Sequence, residues 1–216
     1  GLFAVNYNVF FVPIPLHNPM GNVLAGLATF SEFDPFSAVR HSFPGNYSWP
    51  TKLFMLDRCF LVNRYPLTNG RQLLIINTHN SAFDDGSLRK QQMAYLKNFL
   101  LEEYKKKNYI IVGGDWNQAP FNFSPDFETN AGGKDNISVE EGFPDKDWIW
   151  VYDERTASHR GLQAPYDEKS SPFTVIDFYL VSPNVIPSRV KTIDMDFEFS
   201  DHQPVVASFE LLPEQV

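Results

Sequence analysis

A mixed α/β fold is what the sequence predicts, and three observations carry the prediction. Short apolar runs rich in β-branched residues recur along the chain and end in polar, ionisable residues. One long segment repeats its apolar residues at helical spacing between two such runs. Aromatic residues reach 15% alongside 16 Pro and 12 Gly, which suits sheets joined by many turns better than a helical bundle. With 216 residues, 43% hydrophobic and 20% charged, the chain is expected to form one domain over residues 1–216 with a substantial core. Disorder, collagen and coiled coil are set aside by the same composition.

The defining unit runs from Gln72 to Asn117. Leu73-Leu74-Ile75-Ile76 predicts a buried strand that delivers Asn77-Thr78-His79-Asn80 to a surface loop. A helix follows, with Ser87 placed to cap it and Met93, Leu96, Leu100 and Tyr104 recurring at three- and four-residue steps. Lys105-Lys106-Lys107 stands where the helix dipole favours cations. Tyr109-Ile110-Ile111-Val112 predicts a second buried strand, broken by Gly113-Gly114 and delivering Asp115-Trp116-Asn117. Further strands are predicted over Lys52–Val62, Thr174–Val181 and Pro204–Leu211. Between Phe121 and Lys169 the chain is rich in Pro, Asp, Gly and Asn, predicting long surface loops around one strand-like island, Trp148-Ile149-Trp150-Val151-Tyr152.

Charge and cysteine content narrow the function classes. Lys plus Arg number 18 against 26 Asp plus Glu, so the net charge of −8 repels polyanions unless metal ions or a local basic patch offset it. A broad, sequence-blind DNA groove is therefore disfavoured. Cys59 is the one cysteine, which excludes an internal disulfide framework and a multi-thiolate metal site. No apolar run reaches the roughly 18 residues of a membrane span, and Gly1-Leu2-Phe3 opens directly on strand-like sequence, so localisation is not readable.

Ionisable residues stand where apolar strands end at four places: His79, Asp115 with Asn117, Asp177, and Asp201 with His202. Singly, each reads as a cap or a turn former; together they suggest one site. Asp177 is the most informative, because Val175-Ile176-Asp177-Phe178-Tyr179-Leu180-Val181 sets a carboxylate among apolar neighbours, where an unpaired charge is costly. The expected partner is His202, since a buried carboxylate fixes an imidazole's tautomer and raises its basicity.

Gly114-Asp115-Trp116-Asn117, Ile176-Asp177-Phe178 and Ser200-Asp201-His202, in that order and each beside a strand, resemble the motifs of the endonuclease/exonuclease/phosphatase superfamily. Asn77-Thr78-His79 resembles the strand-end histidine of its DNase I, sphingomyelinase and phosphatase branches. Gly21–Phe30 is similar to the segment that precedes a "Ser-Arg-Tyr-Pro" turn in relatives, altered here to Ser31-Glu32-Phe33-Asp34. Leu56-Asp57-Arg58 looks like the place of an arginine that contacts phosphate. The resemblance covers about residues 5–212 and implies a four-layered α/β sandwich that hydrolyses phosphate esters with Mg²⁺ or Mn²⁺. On that reading His202, oriented by Asp177, activates water or steadies the phosphate. Asp201 binds metal, Asp115 and Asn117 position water, metal or phosphate, and His79 and Arg58 neutralise the developing oxyanion. Such a division of labour is sound chemistry, because a hard cation and nearby cationic or amide donors stabilise the charge that spreads over the phosphate oxygens.

The chain also departs from the pattern. The superfamily's early asparagine and metal-binding glutamate, expected before Val5–Pro15, are not present. Asn8 and Glu32 could be tried in those roles, but Glu32 lies in the turn after an aligned strand with no apolar strand of the required kind leading up to it. The resemblance therefore implies a chain without its first strands and principal metal ligand. Weak Mg²⁺ binding, poor turnover and self-association through an uncovered sheet edge are expected of such a chain. Two alternatives stay open at this stage. One is a non-catalytic binding domain that keeps the fold. The other is a different hydrolase with His79, Asp115 and His202 as direct ligands, for which imidazole-rich sites would favour Zn²⁺.

Overall fold

The computed structural model describes residues 1–45, 49, 55–82, 86–127, 137–162 and 165–213. In chain order its elements are β1 (Leu2–Val12), β2 (Gly21–Thr29), β3 (Ser37–Ser42), β4 (Cys59–Pro66), β5 (Gln72–His79), α1 (Ser87–Lys105) and β6 (Tyr109–Asp115). There follow β7 (Ile149–Val151), β8 (His159–Arg160), β9 (Phe173–Thr174), β10 (Asp177–Val181), β11 (Val185–Thr192) and β12 (Val205–Leu211). Six strands form one mixed sheet in the order β3-β4-β5-β6-β10-β7. The pair β5–β6 is parallel, joined through α1, and its neighbours are antiparallel.

Side-chain alternation sorts that sheet's two faces. Leu74 and Ile76 of β5, Ile110 and Val112 of β6, and Phe178 and Leu180 of β10 pack against Met93, Leu96 and Leu100 of α1. The intervening residues Leu73, Ile75, Tyr109, Ile111, Tyr179 and Val181 face the other way, onto Val185, Val190, Phe209 and Leu211 of the antiparallel pair β11–β12. Beside it, Ala4 and Leu27 of the antiparallel pair β1–β2 cover Cys59 and Leu61 of β4. Among the described residues the molecule is thus a helix, a six-stranded sheet, two two-stranded sheets on the far face, and a small two-stranded pair β8–β9. The β1–β2 hairpin leaves Phe10, Phe11, Ile14 and Leu16 exposed.

The structure corrects three details of the sequence reading. The helix N-cap is Gly86, whose φ of 93° suits glycine, and Ser87 is the first helical residue. The strand expected over Lys52–Val62 begins only at Cys59, because the Asp57 N–H donates to the Asn6 carbonyl and the Arg58 carbonyl accepts from Phe43; residues 52–54 lie outside the described residues. The strand expected over Thr174–Val181 is broken at Val175-Ile176, where the Ile176 carbonyl accepts from the Trp116 N–H and its own N–H donates to Ser158 Oγ.

Two glycines fix how β6 approaches its neighbours. A Cβ on Gly114 (φ 150°) would stand 2.0 Å from the Thr78 carbonyl oxygen, and one on Gly113 would stand 2.7 Å from the Tyr179 ring. The doublet therefore lets β6 end tightly between β5 and β10. Beyond it Trp116 is fully buried, stacks on Phe178 and donates from Nε1 to the Phe178 carbonyl at 3.0 Å. This indole anchors the turn that carries Asp115 and Asn117.

Candidate active site

Strand register brings three ionisable residues side by side. His79 ends β5 directly opposite Asp115 at the end of β6, and Asp115 is opposite Asp177 at the start of β10. Directly opposed residues on paired strands project to the same face, so the sheet itself assembles the row. His79 Nε2 lies 3.2 Å from Asp115 Oδ2. The Asn117 N–H donates to Asp115 Oδ1 at 2.8 Å, and its Nδ2 donates to the Asn80 carbonyl and to Asp115 Oδ2. Asn117 adopts φ 50°, a left-handed conformation that asparagine tolerates, and so closes a tight loop around the carboxylate.

The segment before β12 completes the group. His202 Nδ1 lies 2.8 Å from Asp177 Oδ2, the pairing expected from the sequence. Ser158, fully buried, donates from Oγ to the same Asp177 oxygen at 2.9 Å and accepts from the Ile176 and Asp177 N–H groups. Asp201 is half-buried, and among the described residues its side-chain hydrogen bond is a long 3.5 Å contact from Ser200 Oγ. Donor atoms of Asp115, Asp177 and His202 all lie within 4.8 Å of one another. His79, Asp115, Asn117, Asp177, Asp201 and His202 are therefore gathered at one end of the six-stranded sheet. Arg58, just before β4, lines a small cavity with Phe43, Ser81 and Gln92, and none of the six gathered residues lines that cavity.

The electrostatics follow from burial and pairing. Burial pushes the His202 imidazole down, but its bond to Asp177 and the charges of Asp177, Asp115 and Asp201 raise it to about 9. For Asp177, burial dominates and leaves the carboxyl above its ordinary range despite the bonds from His202 and Ser158. Asp115 is pushed up by burial, yet His79, His202 and the Asn117 N–H outweigh that and hold it below the ordinary range. The cluster thus sets two imidazoles, His79 and His202, against two carboxylates, Asp115 and Asp177, all half-buried at the sheet end.

Sequence reasoning missed two residues here, Ser158 and His159. The His159 ring packs 4.6 Å from that of His202, and burial, then the His202 charge, lower it to about 4. Both sit in the tract read as surface loop. Their signal is non-local: Ser158 meets Asp177 nineteen positions away, and His159 meets His202 across an isolated bridge between distant segments.

No sequence-family model matches the chain, and no curated protein matches it in sequence. Solved structures do match. An endonuclease/exonuclease/phosphatase from Bacteroides vulgatus superposes with a TM-score of 0.53 at 16% identity, over 82% of this chain and 66% of that one. D. rerio TDP2 complexed with single-strand DNA product matches with a TM-score of 0.53 at 15% identity, over 82% and 68%. The human Nocturnin catalytic domain with bound sulfate matches with a TM-score of 0.55 at 16% identity, over 97% and 71%. The chain has the endonuclease/exonuclease/phosphatase fold, and it spans about two thirds of the length of these structures.

Proposed function

We propose that the chain carries the active site of a divalent-metal-dependent phosphoesterase using Mg²⁺ or Mn²⁺. The observation that carries the reading is the His202–Asp177 pair, 2.8 Å apart, set beside the His79–Asp115 pair at the ends of neighbouring strands. With Nδ1 committed to Asp177, His202 has Nε2 left for substrate or water. At neutral pH the metal-free imidazole is protonated, so Nε2–H donates toward a phosphate oxygen, and on losing that proton the same atom can accept one from water. His79, held in place by Asp115, is the residue that the resemblance assigns to neutralising charge that develops on the phosphate.

The donor set suits a hard cation. Asp201 is a carboxylate with a weak side-chain bond among the described residues, and Mg²⁺ is commonly held by one or two carboxylates with waters and substrate phosphate oxygens filling the rest. Asp201 would hold the ion, with Asp115 and Asn117 completing the set that the resemblance implies. When bound, the ion supplies charge neutralisation on the phosphate oxygens. Substrates are phosphate esters, monoester or diester. The test is a crystal soaked with Mn²⁺ and inorganic phosphate. Anomalous density at Asp201 with phosphate against His202 Nε2 supports the reading, and phosphate bound away from His202 and His79 refutes it.

A further inference from the structure

We propose that His159, Asp201 and His202 form a site for a borderline transition ion such as Zn²⁺, and that its occupancy blocks the hydrolytic site. The inhibitory part rests on the phosphoesterase reading, whereas the ion site does not. Backbone pairing creates the arrangement: the Arg160 N–H donates to the Asp201 carbonyl at 3.0 Å and the Gln203 N–H to the Ser158 carbonyl at 2.7 Å, so His159 and His202 stand directly opposite each other. Opposed residues share a face, which puts the two imidazoles ring against ring, 4.6 Å between centroids. Asp201 adjoins them, and donor atoms of the three side chains all lie within 4.8 Å of one another. Tetrahedral Zn²⁺ with nitrogen and oxygen ligands near 2.1 Å needs them about 3.4 Å apart, a modest rotation for half-buried side chains.

Two further features point to an ion. His159 Nδ1 is enclosed and has no hydrogen-bond partner among the described residues, a costly state for an imidazole nitrogen. The Asp177 carboxylate holds His202 through Nδ1, leaving Nε2 for an ion, as carboxylates behind metal-ligating histidines do. Two imidazoles and one carboxylate favour Zn²⁺ or Co²⁺ over Mg²⁺. Because an ion on His202 Nε2 removes the atom the phosphate needs, Zn²⁺ and substrate compete.

Co²⁺ is the probe. The unmodified metal-free chain is expected to give the intense visible bands of tetrahedral Co²⁺, displaced by one equivalent of Zn²⁺ but not by excess Mg²⁺. In His159→Phe, which keeps a ring at that position, the bands should vanish and Zn²⁺ affinity should fall by at least about 100-fold. In the unmodified chain, the Cε1–H resonances of His159 and His202 should shift together on adding Zn²⁺. Unchanged bands in His159→Phe, or a His202 shift without His159, overturn the proposal. None of these readouts involves turnover, so the ion site and the phosphoesterase reading fail separately.

Discussion

Replacing Asp177 with Asn removes one charge from the site while keeping its volume. Asp177 Oδ2 receives His202 Nδ1 at 2.8 Å and Ser158 Oγ at 2.9 Å. Against the lowering effect of burial, Asp177 is the main reason His202 rises from 6.5 to about 9, which corresponds to about 3 kcal/mol of preference for the imidazolium. With an amide in its place the largest raising contributions go, while burial and the charges of Asp115 and Asp201 remain, so His202 should titrate well below its value in the unmodified chain. The linkage has a definite sign. A histidine whose folded pKa is raised contributes stability that is fully present below its unfolded pKa of about 6.5 and is lost as pH rises through about 9. The unmodified metal-free chain should therefore lose up to about 3 kcal/mol across that window, and Asp177→Asn should lose less. The assay is an NMR titration of the His202 Cε1–H in both proteins, with urea denaturation at pH 6 and pH 9.5. The reasoning is refuted if His202 titrates near 6.5 in the unmodified chain, or at the same pH in both proteins.

Two further expectations concern the supports of the site and a third the C-terminal end of α1. Ser158→Ala leaves two N–H groups and a carboxylate short of a partner and should cost about 1–3 kcal/mol, with Ser158→Thr recovering part of it; equilibrium denaturation measures both. Gly114→Ala drives a Cβ to 2.0 Å from the Thr78 carbonyl at φ 150°, and should destabilise by more than about 2 kcal/mol or yield no soluble protein. Glu103 is pushed up by burial, but hydrogen bonds from Arg64 and Lys106 bring it down to about 2, so its contribution is present above pH 4.5 and lost as pH falls toward 2. Acid denaturation should show a loss of about 3 kcal/mol across that window, flattened in Glu103→Gln.

The β5–α1–β6 unit was legible because its apolar periodicity changes from strand to helix and back within one segment, and local pattern alone decides it. Strand-end polar residues pointed to the same cluster through their combination, since each alone reads as a cap or a turn former and only the set at four strand ends suggests a site. What escaped lies elsewhere in the physics. β11 contains Pro187 at a register shift and alternates with exposed Arg189 and Lys191, so it does not read as a strand. β3 is the edge of the sheet, covered on one side only, and its sequence Ser-Ala-Val-Arg-His-Ser lacks a clear period. Ser158 and His159 acquire meaning only through Asp177 and His202, which no local window contains.

The central claim is that this cluster hydrolyses phosphate esters with a divalent ion. Its most direct test is hydrolysis of a phosphomonoester and a phosphodiester reporter with and without Mg²⁺ or Mn²⁺. The unmodified protein and His202→Gln are assayed side by side. Metal-dependent turnover is expected in the unmodified protein, falling by about 100-fold or more in His202→Gln. Turnover that survives in His202→Gln, that needs no divalent ion, or that is missing from the unmodified protein would contradict it.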